Sequence, residues 1–159
     1  MAERDPHLSP RRNYPAYDAD YAAWLDAQIM SLRENRFDEL DLQNLIDEVE
    51  SLGRSDFNGF VSSFEILIAH MLKWDHQPSY RTNGWIASID EHRARIERQL
   101  TDSPSYRGRI DDAIDRAYRP ARALASRETR LDLRTFPASC PYQFGELMER
   151  EHELSVPQS

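Results

Sequence analysis

The chain has 159 residues, of which 40% are hydrophobic and 30% are charged, while only five are glycine. This length and composition are typical of one soluble globular domain and exclude a chain that is disordered throughout. The formal net charge of -8 argues against general binding to nucleic acids or anionic membranes, because both kinds of binding depend on a positive surface.

Cysteine content and apolar runs indicate the compartment. Cys140 is the only cysteine, which excludes an internal disulfide and is typical of a reducing compartment. The N-terminus lacks the apolar core of a signal peptide, and no apolar run approaches the roughly 20 residues of a transmembrane helix. We therefore expect a cytoplasmic protein that does not enter a membrane.

The N-terminal part of the chain predicts a flexible arm and then a helix. Residues 1–16 carry prolines among charged side chains, which is typical of a flexible segment. A helix is predicted from Asp18, a good N-cap, to about Asn35, because apolar residues recur every three or four positions. The short link over residues 36–40 predicts that this helix and the next form an antiparallel pair.

A long helix is predicted over residues 41–74. Its apolar and small residues keep one three-to-four spacing throughout, and Asp41 stands at the position of an N-cap. The stripe keeps its phase across Gly53 and Gly59. We therefore expect the helix to continue through both glycines.

Two further long helices follow. The third is predicted to be capped by Thr82 or Asn83. Ser103 followed by Pro104 predicts the start of the fourth, as a capping serine before a proline at the first helical position. Pro120 lies inside the fourth helix and should kink it.

The C-terminal part predicts a short helix from Pro141 to Met148 and a polar tail over residues 151–159. Residues 17–150 are predicted to form a single domain. The predicted fold is an all-α helical bundle of four main helices, with one long central helix at about 41–74 and a short C-terminal helix.

Asp56, Ser63 and His70 lie seven residues apart in the long helix, so they share one edge of its apolar face. We interpret them as a buried polar line. Each needs a partner, because burying one unpaired polar group costs about 1–3 kcal/mol. Arginines of the third and fourth helices and the tyrosine hydroxyls are the candidate partners.

These residues do not predict a metal site. Asp56 and His70 stand about 21 Å apart along one helix, so they cannot share an ion. His70 would need ligands from elsewhere, such as His76, His92 or Glu48, and a histidine on an apolar face is more often a core residue. The sequence therefore predicts no metal and no cofactor.

The turn after the long helix has the highest density of residues that can bind a ligand. Aromatic surface and hydrogen-bond donors are mixed there, as they are on binding surfaces. The candidate ligand-binding residues are His70, Lys73, Trp74, His76, Arg81 and Trp85. The alternative interpretation is a structural corner, in which Lys73 complements the helix dipole, the tryptophans pack, and Arg81 bonds the last carbonyls of the helix.

No residue pattern identifies a catalytic centre. The sequence contains no G-x-S-x-G elbow, no glycine-rich phosphate loop and no H-E-x-x-H motif. Cys140 precedes Pro141 near a predicted helix N-terminus, where the pKa of a thiol can fall, although we interpret it as a buried structural cysteine. The catalytic residues are therefore unknown, and the sequence leaves open whether the protein is an enzyme.

A series of ordered motifs extends from residue 17 to residue 148. They are Asp18-Ala-Asp-Tyr21, Leu40-Asp-Leu-Gln-Asn-Leu-Ile46 with Glu48, Ser51-Leu-Gly-Arg54, His70-Met-Leu-Lys-Trp74, Pro78 with Arg81 and Trp85, Ser103-Pro-Ser105, Ala117-Tyr118, Phe136-Pro137 and Cys140-Pro141. In these motifs the chain resembles the bacterial domain-of-unknown-function family 29. The resemblance implies an all-helical bacterial protein and no particular activity.

Two hypotheses about function follow. The one we favour is a non-enzymatic protein-interaction or regulatory module that binds a protein partner or forms a homodimer, and binds neither nucleic acid nor a membrane. A solvent-exposed apolar patch on the first or second helix would support it. The alternative is an enzyme, or a binder of a small ligand or metal, with a site near His70, Lys73, His76 and Arg81. A concave site where these side chains converge would support that alternative.

Overall fold

The computed structural model describes residues 14–154. Within that range the chain forms five α-helices joined by short 3₁₀ turns, and it contains no strand. The helices are α1 (Tyr21–Arg33), α2 (Leu42–His76), α3 (Asn83–Asp102), α4 (Ile110–Thr129) and α5 (Phe144–Glu149). The prediction of an all-α helical bundle, with four main helices and a short C-terminal one, is confirmed.

The chain divides into two compact units, Met1–Arg54 and Ser55–Ser159, and α2 contributes residues to both. The single domain over residues 17–150 stays a prediction. Residues 1–13 of the predicted arm and residues 155–159 of the predicted tail lie outside the described residues. Within residues 14–154, every helix is too short or too polar to span a lipid bilayer.

Asp20, and not Asp18, caps α1. The Asp20 carboxylate accepts a hydrogen bond from the backbone N–H of Ala23 at 3.0 Å, which satisfies one of the free donors of the first turn. The backbone N–H groups of Ala19 and Asp20 donate to the Ala16 carbonyl at 3.0 and 3.2 Å, so the chain is still in a turn at Asp18. The predicted start of this helix is therefore wrong by two residues.

In the first unit, α1 and the beginning of α2 run antiparallel. Tyr21, at the start of α1, donates a hydrogen bond from its hydroxyl to Glu48, in the second turn of α2. Trp24, one turn later in α1, donates from its indole nitrogen to Asp41, just before α2 begins. Contacts that move forward along one helix and backward along the other require antiparallel helices, as the short link predicts.

The helix α2 has 35 residues and continues through Gly53 and Gly59, as predicted. It ends at His76, two residues beyond the predicted end. Each glycine costs a helix interior about 1 kcal/mol relative to alanine. The buried residues that begin at Phe57 stabilise the second half of α2 through packing, which outweighs that cost.

The second unit has one hydrophobic core. Phenylalanines of α2 and isoleucines of α3 fill it, and alanines of α4 face it, where their small side chains allow close approach. Its fully buried members include Phe60, Phe64, Leu67, Ile68, Met71, Leu72, Ile89, Ile96, Ala113, Ala117, Ala121, Ala125 and Leu147. This core positions the second half of α2, at whose end the predicted corner lies.

The fourth helix begins later than predicted. Pro104 starts a 3₁₀ segment, Pro104–Arg109, and the side chain of Ser103 makes no capping hydrogen bond to it. The backbone N–H of Tyr106 donates to the Ser103 carbonyl at 3.0 Å, an i to i+3 bond that gives this segment its tighter turn. α4 starts at Ile110, and Pro120 lies inside it without ending it.

The last helix also begins later than predicted, at Phe144 and not at Pro141. Gln143 has extended backbone, with φ of -85° and ψ of 159°. Tyr142 before it is buried, and its hydroxyl donates to Asp75 at 2.7 Å. Because this contact holds residue 142 outside the helix, α5 can start only after Gln143.

Candidate functional site

Lys73 lies inside the corner at the end of α2. Its side chain is only 7% exposed, and its Nζ donates to Glu128 Oε2 at 2.7 Å. The same Nζ lies 4.6 Å from the centre of the Trp85 ring. The ammonium group therefore has a carboxylate partner on α4 and an aromatic partner on α3.

Arg81 covers Trp74 and binds the end of α2. Its Nε donates to the Trp74 carbonyl at 2.9 Å, and its guanidinium carbon lies 4.7 Å from the centre of the Trp74 ring. The ring of His152 meets the ring of Trp74 edge to face, with 5.1 Å between centroids. His152 is buried because it packs against this aromatic side chain, and the polar tail over residues 151–159 stays a prediction.

His70 is half-buried beside Ser88 of α3. Its Nδ1 lies 3.0 Å from the Ile66 carbonyl oxygen, which can only accept, so Nδ1 carries the proton. Ser88 Oγ lies 3.4 Å from the same nitrogen. Burial lowers the pKa of His70, the hydrogen bond to Ile66 acts in the opposite direction, and the charge of Lys73 adds to the lowering.

The six predicted ligand-binding side chains are divided among several contacts within the chain. His76 packs edge to face against Phe136, with 5.0 Å between ring centroids. Lys73 contacts Trp85, Trp74 contacts Arg81, and His70 contacts Ser88. This division favours the structural interpretation of the corner, and the ligand-binding role of these residues stays a prediction.

The predicted buried polar line is buried only in part. Ser63 is buried and its hydroxyl donates to Gln99 Oε1 at 3.1 Å, while His70 is half-buried. Asp56 is exposed, so its predicted burial is wrong. Its carboxylate accepts a hydrogen bond from the hydroxyl of Tyr106, a neutral partner, and a carboxylate with such a partner keeps its hydration. That hydrogen bond, together with burial, raises the pKa of Tyr106.

A carboxylate network that the sequence pattern did not indicate is centred on Asp75. Asp75 accepts a hydrogen bond from the Tyr142 hydroxyl at 2.7 Å and two from Arg150, one of them at 3.0 Å. Burial acts to raise the pKa of Asp75, but the hydrogen bonds from Arg150 and Tyr142 outweigh burial and lower it below its ordinary value of 3.8. These partners lie 67 and 75 residues away in the sequence, so helical spacing could not identify them.

Arg93 of α3 binds the end of α5. Its Nε donates to the Leu147 carbonyl and its second terminal nitrogen donates to the Arg150 carbonyl, both at 2.7 Å. These are carbonyls that a helix leaves free at its C-terminus. Arg93 and Asp75 together fasten the residues after α5 to α2 and α3.

Cys140 does not have the environment of a reactive thiol. It is half-buried, and its sulfur lies 3.7 Å from the Tyr142 carbonyl oxygen. Burial raises the pKa of the Cys140 thiol, which reduces the fraction present as the nucleophilic thiolate. These surroundings match the structural interpretation of this cysteine.

Two histidines give the second unit an expected pH dependence. Burial lowers the pKa of His152, as do the positive charges of Arg93 and Arg150, and burial also lowers the pKa of His70. Below about pH 6.5 the unfolded chain therefore binds these protons more readily than the folded chain. We expect the free energy of unfolding, measured by urea denaturation, to decrease as the pH falls from about 7 to about 5.

Two substitutions separate the histidines from other groups. His152→Phe keeps a ring against Trp74, and His70→Asn keeps a donor near the Ile66 carbonyl, but neither new side chain can ionise. Each should flatten the dependence of stability on pH. The prediction fails if the double variant keeps the wild-type slope.

The first unit carries an exposed apolar surface. Val49 and Leu52 are each 68% exposed, Leu42 is 60% exposed and Ile46 is 53% exposed. A groove of about 250 Å³ lies among Leu42, Leu45, Ile46 and Val49. The first half of α2 therefore leaves open the stripe that an amphipathic helix normally buries.

The stripe is open because α1 packs against the polar side of α2. The indole nitrogen of Trp24 donates to Asp41 at 3.2 Å, and the side-chain carbonyl of Gln28 accepts from the Asp41 backbone N–H at 2.8 Å. The hydroxyls of Tyr17 and Tyr21 both donate a hydrogen bond to Glu48. The hydrogen bond between Tyr17 and Glu48 raises the pKa of Tyr17 to about 12. Polar contacts thus decide which side of α2 receives α1.

Apolar residues of α1 lie on the same open side. An apolar residue directly follows each of the three buried residues of α1, which are Trp24, Gln28 and Ser31. Likewise, the apolar residues Leu42 and Val49 of α2 directly follow Asp41 and Glu48, which contact α1. Successive side chains of an α-helix differ in direction by about 100° around the helix axis. Because α1 and α2 are antiparallel, the residues that follow the contacts on both helices therefore lie on the same side of the helix pair. We define the open face as Leu25, Ile29, Leu32, Leu42, Leu45, Ile46, Val49 and Leu52.

Comparisons with known proteins identify the family and no activity. Within residues 14–154, no group of three or more His, Cys, Asp or Glu side chains could hold a metal ion. No curated protein and no solved structure is significantly similar to the chain. The family model described as a domain of unknown function, DUF29, matches residues 16–152, which is most of the chain. The chain therefore belongs to the DUF29 family.

Proposed function

We propose that this protein is a helical protein-interaction module and that a protein partner binds its open face. The observation that carries the proposal is the exposure of Leu42, Ile46, Val49 and Leu52, each more than half accessible, on one side of one helix. A single exposed apolar side chain is ordinary, whereas a contiguous row of them marks a contact surface.

The size of the open face supports this proposal. Full burial of one large aliphatic side chain stabilises a protein by about 2.5 kcal/mol, and each Å² of buried apolar surface contributes about 25 cal/mol. One such side chain therefore has about 100 Å² of apolar surface. The four most exposed side chains of α2 then contribute about 250 Å², and α1 adds its flank. The total lies in the range of about 300–600 Å² at which exposed patches are often functional.

The chemistry of the open face favours a protein as the partner. The side chains are aliphatic and lack the lysines and arginines that bind phosphates or anionic lipids. The charged neighbours Glu50 and Arg54 already pair with each other at 3.3 Å, so they add no net charge to this surface. An apolar helix or helix pair of a partner protein is the complementary surface.

The proposal predicts that charges on the open face dissolve a native assembly. In a lysate of the cells that produce the protein, we expect the wild-type chain to elute from a size-exclusion column in a larger assembly. Val49→Glu combined with Leu52→Glu should shift about 90% or more of the chain to the size of the free protein, because a buried unpaired carboxylate costs several kcal/mol.

Leu133→Glu is the matched control, since Leu133 is an exposed leucine, 44% accessible, outside the open face. This variant should elute with the wild-type chain. The proposed function is refuted if the wild-type chain elutes as the free protein even from the most concentrated lysate that can be loaded, or if both variants shift the elution equally.

A further inference from the structure

Three residues of the open face and the neighbouring Gly53 form a stripe on α2 whose spacing is the same in both directions. Leu42, Ile46, Val49 and Gly53 are separated by four, three and four residues. This is the alternation of apolar positions that pairs two helices through a seam. A two-fold axis between Ile46 and Val49 maps the stripe onto itself, so that two copies of α2 can pair antiparallel.

In that pairing a large side chain meets an empty position. Leu42 of one copy lies opposite Gly53 of the other, and Ile46 lies opposite Val49. A Cβ added to Gly53 would meet nothing within 4 Å in its own chain, so the space above this glycine is open. Leu42 is 60% exposed and is available to fill it.

Charges next to the stripe do not oppose the pairing. Near the two-fold axis, Asp47 accepts a hydrogen bond from Gln43 at 3.1 Å, and Glu48 accepts from Tyr21 at 3.2 Å on the side of α1. Glu50 pairs with Arg54 at 3.3 Å. Each of these acids thus has a hydrogen-bond partner in its own chain, and Arg54 also offsets the charge of Glu50.

We propose that the partner of the open face is a second copy of this chain, with the first halves of the two α2 helices packed antiparallel through Leu42, Ile46, Val49 and Gly53. The contact is isologous, because each copy presents the same stripe. This inference rests on the proposed function and names its partner. The small area makes the dimer weak and dependent on concentration, with a dissociation constant in the micromolar range or above.

Light scattering of the purified full chain over a concentration series tests the proposal. The average mass should rise from 18.6 kDa toward twice that value as the concentration increases. Gly53→Leu should weaken association about tenfold or more, because the new side chain has space in its own chain but collides with Leu42 of the second copy. Adding Leu42→Ala to Gly53→Leu should restore association, since it removes that collision.

Gly145→Leu is the matched control, because Gly145 also lies in a helix with nothing within 4 Å of an added Cβ. It should associate like the wild-type chain. Val49→Arg provides a second disruption of the stripe if Gly53→Leu does not fold, as circular dichroism would reveal.

Self-association is refuted if the purified wild-type chain keeps the mass of one copy up to millimolar concentration, or if Gly53→Leu associates as tightly as the wild-type chain. These failures are distinct from a failure of the proposed function. An assembly that forms only in lysate and is lost in the Val49→Glu and Leu52→Glu variant would retain the open face as a contact surface and exclude the second copy as its partner.

Discussion

Asp75→Ala should lower the free energy of unfolding by about 3 kcal/mol at pH 7, the largest effect that we expect from a substitution of a polar residue in this chain. The Asp75 carboxylate is 26% exposed and binds Tyr142 and Arg150. Removing it leaves a buried hydroxyl and a guanidinium group without their partner. Urea denaturation followed by circular dichroism measures the change.

The destabilisation should depend on pH in a defined direction. Because the pKa of Asp75 is lowered in the folded chain, its contribution to stability is complete above the ordinary value of 3.8 and is lost as the pH falls through the folded value. The difference between the wild-type chain and Asp75→Ala should therefore be largest above about pH 5, where only the weak effect of Asp75 on the pKa of His152 changes it, and should shrink below about pH 4.

Glu146→Ala is the control for this experiment. Glu146 also pairs with Arg150, but at 3.6 Å and with 42% of its side chain exposed. Its removal should change the free energy of unfolding by less than about 1 kcal/mol, as is usual for an exposed pair. Equal effects of the two substitutions would contradict the special role assigned to Asp75.

Glu128→Ala should lower the free energy of unfolding by about 2 kcal/mol, because it leaves the Lys73 ammonium in the core without its carboxylate. The contact of Lys73 with the Trp85 ring remains and limits the loss. Urea denaturation at neutral pH again provides the measurement.

A double-mutant cycle with Lys73→Met isolates the pair. Methionine keeps most of the aliphatic stem and removes the charge, so Glu128→Ala should have little effect in that background. Glu50→Ala removes an exposed pair with Arg54 and should stay within about 0.5 kcal/mol of the wild-type chain. If Glu128→Ala costs as much in the Lys73→Met background as in the wild-type chain, the pair is not the source of the loss.

The helices of this fold were largely predictable, because their signals are local. The apolar stripe of α2 correctly predicts that this helix continues through Gly53 and Gly59. Thr82, one of the two predicted candidates, caps α3. The errors lie at helix boundaries that are determined by a contact with another part of the chain. At α5, for example, the contact of Tyr142 with Asp75 shifts the start of the helix to a later residue. Local periodicity cannot contain that information.

The candidate site shows the same limit. Density of polar and aromatic residues indicated the corner near Lys73, but its partner Glu128 lies 55 residues away on another helix. The sequence predicts that the residues of the open face on α2 form an apolar stripe. It does not predict that this stripe is exposed to solvent. The polar contacts of Asp41 and Glu48 determine the side of α2 against which α1 packs. Hydrophobic periodicity contains no information on the strength of those contacts relative to burial of the stripe.

Lys73 is the only lysine in the sequence, and its side chain is only 7% exposed. Reagents that acylate primary amines therefore cannot reach a lysine while the second unit is folded, and they reach this one only when the chain opens. The rate at which Lys73 is acetylated, followed by mass spectrometry, would therefore report how often the second unit opens. This measurement needs no engineered label.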